Sequence, residues 1–392
     1  MSTSESTSDL RIGILGLGGR ASLFDLAHRP GEGSRITAVC DLLPAKRDEA
    51  VRRFGPDTYV TADLADLLAQ PIDAVGIFTE DHRHEEQAIA CLRAGVPTFV
   101  EKPLAITIAG ADAVLAAAAD TGTPLYVGHN MRHMPVVTTM KKLIDDGEIG
   151  TVKAVWCRHF VGHGGDFYFA DWHALRANTT GLLLQKGVHD IDVIHHLAGA
   201  PTRRTNAVGG LTVYDQVADR HDGTGFTDAD RKRRRDTWPP LAQTELHPDL
   251  DVEDISQVNL VLANGVYASY QQCHYTPDYW RNYTVIGTEG RLENFGDEAD
   301  AVVKVWRRRG NYLAEPDMLV RPPQTDGTHG GADPALVAEF LDLVRDGRRP
   351  GISPVAARDA VAAGCAATES LRSGGVPVDI APVAPEVAAH FA

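Results

Sequence analysis

Cysteine is scarce in this chain and follows no pattern. Cys40, Cys91, Cys157, Cys273 and Cys365 stand far apart, with no C-x-x-C pair among them. An odd, dispersed set excludes a disulfide framework and reads as reduced thiols, which points to the cytoplasm. Long apolar runs are also missing. The longest, residues 113–119, is far too short to cross a bilayer. The first nine residues are polar and hold no apolar core of a signal peptide. Basic charge is in deficit: 38 Lys and Arg against 53 Asp and Glu give a net charge of -15. Such a surface suits neither nucleic acid nor an anionic membrane. No internal repeat or low-complexity tract is present.

What remains is an ordinary globular composition, 43% hydrophobic and 23% charged, over 392 residues. That length implies two domains. Residues 10–15 read as a buried strand. Gly16, Gly18, Gly19, Arg20 and Ala21 follow, then a helix-like stretch at 22–27. This is G-x-G-x-x-A between a strand and a helix. Gly16 permits a tight turn, Gly18 lets the backbone approach a pyrophosphate, and Ala21 allows close helix–strand packing. The same letters also occur in ordinary strand–helix turns, so context decides. A second strand, 35–41, ends in Asp41, whose carboxylate can accept from ribose hydroxyls. That favours NAD over NADP, although Arg20 and Arg47 lie close in sequence and a helix cap is the lesser alternative for Asp41.

Strand and helix patterns then alternate. Helices are expected at 44–54, 63–69 with Thr61 as its cap, 85–94 and 109–119, and strands at 73–78, 97–101 and 125–128. Alternation of this kind predicts a doubly wound parallel sheet, a Rossmann domain over residues 9–128. Ligands of such sheets bind at the carboxyl ends of the strands. Thr79, His82, His84, Glu101, Lys102 and Asn130 fall there.

With those residues in place the chain resembles the glucose-fructose oxidoreductase/inositol dehydrogenase/rhizopine-catabolism (Gfo/Idh/MocA) family. The motifs are Thr79-x-x-His82-x-His84-Glu85, the Glu101-Lys102-Pro103 triplet, Asn130-x-Arg132-x-x-Pro135, Gly181 through Asp192, and Gly287-Thr-Glu-Gly290. The resemblance implies a second α/β domain, 129–375, with a large, mostly antiparallel open sheet. It also implies NAD bound through Gly16, Gly18, Gly19, Arg20, Asp41, Thr79, His82, His84, Glu101, Lys102 and Asn130, and homodimers or homotetramers formed through the sheet. One departure stands out. Relatives that oxidise cyclic polyols commonly carry aspartate four residues before the histidine; here the position is Gln185, followed by Lys186.

In the second domain, 135–147 reads as an amphipathic helix and 152–160 as a half-buried strand. The loop 162–173 carries Tyr168, Trp172 and His173. Flat rings beside hydrogen-bonding tips suit a sugar; they also suit a core. A helix from about 183 would put Gln185, His189, Asp192 and His196 on one face. Zinc on His189, Asp192 and His196 has no partner motif to support it; no metal is expected. Residues 215–248 break the periodicity and read as a long insertion, exposed or folded over a neighbouring subunit, with a basic run at 231–235. Tyr279, Trp280 and Arg281 are further pocket candidates.

The expected chemistry is hydride transfer between a secondary alcohol of a sugar, glycoside or polyol and nicotinamide. His189 serves as general base and Lys102 as the group that holds the reacting oxygen. Gln185, Lys186, Arg132, Tyr168, Trp172 and His173 are the expected substrate contacts. An alternative is an oxidoreductive glycosidase, which oxidises, eliminates, hydrates and re-reduces while NAD stays bound. It needs a second base, for which Lys186, His173 and Tyr168 are available. A non-enzymatic dinucleotide sensor would need neither Lys102 nor His189.

Overall fold

The computed structural model describes residues 8–221, 237–324 and 329–392. The basic run at 231–235 therefore lies outside the described residues.

Six short strands form the first sheet: β1 (Leu10–Leu15), β2 (Ser34–Cys40), β3 (Tyr59–Thr61), β4 (Ala74–Ile77), β5 (Thr98–Val100) and β6 (Leu125–Val127). All are parallel, in the order β3-β2-β1-β4-β5-β6. The order reverses between β1 and β4, which is the switch point where ligands bind in such sheets. The strands are short and apolar because helices cover both faces. Local details depart from the pattern. Asp63, not Thr61, caps the helix Leu64–Leu68, its side chain accepting from Ala65 N. Thr61 instead accepts from Asp63 N and donates to Asp66. The segment after the glycine turn, Gly19–Ala27, is a 3-10 helix. The Ser22 hydroxyl donates to the Gly19 carbonyl there, a local bond that competes with the α-helical pattern.

Nine strands form the second sheet: β7 (Val152–Phe160), β8 (Thr202–Gly210), β9 (Ile255–Leu262), β10 (Tyr267–Cys273), β11 (Trp280–Gly287), β12 (Arg291–Phe295), β13 (Val302–Trp306), β14 (Met318–Val320) and β15 (Val378–Asp379). Their order is β14-β13-β12-β11-β7-β10-β9-β8-β15, antiparallel except for the β7–β10 pair. β7 alternates buried and exposed residues, as its sequence predicts. Its inner side packs under the helix Gly187–Ala198. Its outer side leaves Trp156 exposed, as β10 leaves Tyr267.

The chain ends by returning to the first domain. Phe340, on the helix Ala332–Asp346, packs against Phe24 and Phe99 of the Rossmann core. Arg358, on the helix Pro354–Arg372, forks onto Asp112 at 2.6 and 3.0 Å. The same helix meets the backbone just before Gln185. A Cβ at Gly364 would lie 3.0 Å from Leu183 O and 3.0 Å from Leu184 Cα. Backbone cannot move aside as a side chain does, so the close approach requires glycine.

Gly364→Leu is therefore expected to lower unfolding free energy by about 1–3 kcal/mol, the range for overpacking. Urea unfolding of the purified variant checks this; an unchanged midpoint would contradict the close packing.

Candidate active site

The site is built where β5 ends. Glu101 follows the strand and is buried. Its carboxylate accepts from Arg20 Nε at 2.7 Å and from Lys102 N at 2.8 Å. Burial alone would raise this carboxyl, but Arg20 and Lys102 more than offset it and hold it ionised. Glu101 thus fixes the backbone from which Lys102 projects. The Lys102–Pro103 peptide is cis. His84 braces the same turn, with Nδ1 2.7 Å from Pro103 O and Nε2 3.1 Å from Thr79 O. The Lys102 ammonium then crosses to the second domain and donates to Gln185 O at 3.1 Å.

The segment around Gln185 is two helices, Leu182–Gln185 and Gly187–Ala198, meeting at Lys186, rather than one. Thr180, just before them, holds φ +65°, an outlier for a β-branched residue. Its hydroxyl donates to Ile106 O and its carbonyl accepts from Arg372, which over-determines the bend. From Leu182 to Ala198 every residue is buried except Lys186, His189 and His196. Lys186 and His189 are three residues apart and share a face.

The Gln185 side chain is buried, and its Nε2 donates to Asp81 Oδ2 at 3.0 Å and His173 Nδ1 at 2.8 Å. The aromatic loop is thereby tied to the helices Leu182–Gln185 and Gly187–Ala198. Trp172 stacks on His173 with centroids 3.8 Å apart, and Tyr168 meets the same ring at 5.8 Å. The Lys186 ammonium lies 5.9 Å from the Tyr168 ring centre. Tyr168, Trp172, His173, Gln185, Lys186, His189 and Lys102 are therefore one neighbourhood.

His189 makes no hydrogen bond through its ring nitrogens among the described residues, and its Nδ1 is buried. Burial, then Lys102, Lys186 and Arg281, push its pKa well below the ordinary value. The imidazole is therefore neutral at pH 7 and keeps one unprotonated ring nitrogen. The next residue does the opposite. Asp190 turns down into the sheet and collects His159 Nδ1 (2.8 Å), Tyr270 OH (3.0 Å), Tyr283 OH (2.5 Å) and Arg281 Nε (3.0 Å). Burial would raise its pKa; Arg281 and His159 lower it well below the carboxylate range. This anchor pins the helix to β7, β10 and β11 one residue from His189.

Three sequence expectations change. Arg132 does not line the substrate neighbourhood; it forks onto Asp192 at 2.6 and 2.8 Å, both partners deeply placed. The stripe Gln185–His189–Asp192–His196 does not face one cleft. Residue 196 lies seven positions beyond 189, about 10 Å along a helix, and His196 lines a separate surface cleft with Lys141 and Lys142. Arg20 is engaged by Glu101 and Asp333 rather than held free for a phosphate. Asp81, Asp190 and Asp333 were not singled out in the sequence. Asp81 sits inside the strand-end motif that holds Thr79 and His82, which was the available signal; nothing local marks Asp333.

The described flanks of the 215–248 insertion fold back on their own chain. Tyr214, Val217, Leu246 and Val252 cluster with Phe169 and Leu182. Gln243 Nε2 donates to Asp166 Oδ1 at 2.6 Å, which braces the aromatic loop from outside.

The residues at the switch point fit a dinucleotide. Gly16 holds φ +81°, and a Cβ there would lie 2.6 Å from Thr79 Cγ2. The turn at Gly18 has no side-chain cap to occupy the helix entrance. Asp41 Oδ2 accepts from Leu17 N at 2.7 Å and so stands against this turn, with Oδ1 on Leu43 N. Arg47 is directed at the Asp41 and Leu42 carbonyls. Asn130 leaves a buried Oδ1 without a partner while its Nδ2 donates to Asp333. His82 contacts Glu80 at 3.6 Å at the rim. Among the described residues no cluster of His, Cys, Asp and Glu could hold a metal, and no helix is long and apolar enough to cross a membrane.

Arg132→Met is expected to reduce stability by about 3–5 kcal/mol, because it removes the forked partner of a buried carboxylate and leaves only His129 at 3.4 Å. Chemical denaturation checks this. A stable variant with only a raised KM would restore the substrate role.

Comparison with known proteins agrees with this geometry. Residues 10–129 match the model of the oxidoreductase family's NAD-binding Rossmann fold, and residues 141–380 match its C-terminal alpha/beta domain. An inositol 2-dehydrogenase of Rhodococcus erythropolis is 30% identical over 222 residues, 54% of this chain and 64% of that protein. The match thus spans just under two thirds of that relative. The putative oxidoreductase YteT of Bacillus subtilis is 24% identical over 373 residues, 83% of this chain and 87% of that one. Among solved structures, levoglucosan dehydrogenase in complex with NADH and levoglucosan superposes with a TM-score of 0.77 at 22% identity, covering 95% of this chain and all of that one. The aldose-aldose oxidoreductase of Caulobacter crescentus, complexed with glycerol, gives 0.72 at 22% identity over 95% of this chain and 100% of that one. The chain, with its NAD-binding Rossmann domain, belongs to the Gfo/Idh/MocA family of oxidoreductases.

Proposed function

We propose that the chain is a carbohydrate or polyol dehydrogenase in which His189 and Lys102 act on the same substrate oxygen. One observation carries this: a neutral, unpartnered imidazole shares its neighbourhood with an ammonium anchored to Gln185. NAD, when bound, supplies a hydride acceptor. His189 accepts the proton of a secondary hydroxyl. Lys102 donates a hydrogen bond to that oxygen and stabilises the negative charge that develops on it. Because Glu101 and Gln185 fix Lys102 at both ends, little reorganisation accompanies the step. Tyr168, Trp172 and His173 offer ring faces to a sugar. Asp41 against the glycine turn supports NAD rather than NADP, and both nearby arginines are engaged elsewhere.

Gln185 donates its amide to Asp81 and His173 and so positions the aromatic loop. An acid there would be repelled by Asp81. This accounts for the departure from the aspartate of the cyclic-polyol enzymes without invoking a second reaction. Self-association through the outer face of the second sheet belongs to the same proposal. Sedimentation velocity reads it: a dimer or larger assembly supports it, and a monomer contradicts it.

The direct test is turnover of a panel of sugars, polyols and chromogenic glycosides with NAD, following NADH and aglycone together. NADH is expected to accumulate in proportion to substrate consumed. Aglycone release without NADH would instead indicate the oxidoreductive glycosidase. Lys102→Ala and His189→Ala are each expected to lower kcat about 10²–10⁴-fold with NAD affinity kept. Near-normal turnover in either variant would overturn the assignment.

A further inference from the structure

Among the described residues the arginines of this region are ion-paired. Arg20 has Glu101 and Asp333; Arg132 has Asp192; Arg281 has Asp190 at 3.0 Å and Asp297 at 2.9 Å. Lys102 donates to a carbonyl. Lys186 has neither a hydrogen bond from its ammonium nor an ion pair among the described residues; its contact is the Tyr168 ring. It is also one of three residues between Leu182 and Ala198 that are not buried, on the face it shares with His189.

An ammonium that is partly desolvated and unpaired lowers stability. Burial, then Arg281 and Lys102, push the Lys186 pKa down to about 7. Asp190 and Asp297 raise it only in part, because both are held by Arg281 and by the tyrosines of β10 and β11 and the loop before them. Among the described residues no carboxylate forms an ion pair with it, so a full counter-charge comes only with a bound anion.

We infer that Lys186 receives an anionic substituent of the substrate, so that this enzyme acts on an acidic sugar, carrying a carboxylate or a phosphate ester, rather than on a neutral polyol. The inference rests on the dehydrogenase reading above and names its substrate class. One turn of helix separates the two side chains, so a single sugar can present a hydroxyl to His189 and Lys102 while its anionic group meets Lys186. Tyr168 lines the same place and offers its ring to the sugar. The anion restores full charge to the ammonium and gains a charge-assisted contact in a partly dry site.

The test titrates the NAD-loaded chain by calorimetry with glucose, glucuronate and glucose 6-phosphate, and with galactose and galacturonate, and follows NADH from the same sugars. At least one anionic sugar is expected to bind about tenfold or more tightly than its neutral counterpart. Which anion leads distinguishes carboxylate from phosphate. Lys186→Gln is expected to bring the preference to within about twofold, and Lys186→Arg to keep it. Equal or tighter binding of the neutral sugars, no binding at all, or a preference that survives Lys186→Gln overturns the inference. If Lys186→Gln fails to fold, the wild-type ratio decides alone. A Lys186-dependent anion preference without NADH from any sugar would leave this inference standing and overturn the dehydrogenase reading. NADH from neutral sugars with no anion preference would do the reverse.

Discussion

One contact organises the molecule: the ammonium of Lys102, at the end of a Rossmann strand, donating to the backbone carbonyl of Gln185 in the second domain. A contact across two domains is useful only if both ends are held. At one end, Glu101 fixes the lysine backbone and His84 the following proline. At the other, Thr180 bends the chain, Asp190 pins the helix to the large sheet, and Gly364 lets the long C-terminal helix press against Leu183 and Leu184. The apolar core is continuous between the two sheets, from Leu15 and Val100 to Val155 and Ile194. Domain docking is thus part of folding rather than a later adjustment.

The electrostatics follow from that docking. Burial makes charged groups costly, so nearly all of them are matched. Asp190 and Asp192 are held ionised by Arg281 and Arg132. His159, buried beside Arg281, is pushed down to about 3 and stays neutral as a donor to Asp190. Against this background His189 and Lys186, neither with a hydrogen bond or ion pair among the described residues, lie on one face of the helix.

Much of this was legible in the sequence because local physics sets it. Strand–helix alternation follows from periodicity, and Gly16 from a turn that a Cβ would obstruct. That Lys102 and His189 belong to one neighbourhood was legible through a family resemblance carried by short, specific motifs. The pairing of Arg132 with Asp192, and of Arg20 with Asp333, was not. Those partners are 60 and 313 residues apart, and no periodicity records a contact of that range. Asp190 and Asp192 look alike in sequence, yet one faces the sheet and the other Arg132, because a helix turns about 200° over two residues. The break at Lys186 was hidden for a related reason: the apolar run 182–184 continues the pattern of the helix after it, and only the chain's approach through Thr180 separates them.

The most direct test of the central claim is a crystal structure of the chain with NAD and a carbohydrate it turns over. The account predicts the oxygen on the oxidised carbon within hydrogen-bond reach, about 2.6–3.2 Å, of both a His189 ring nitrogen and Lys102 Nζ. A substrate whose reacting oxygen is held by other groups, with His189 and Lys102 out of reach, would contradict it.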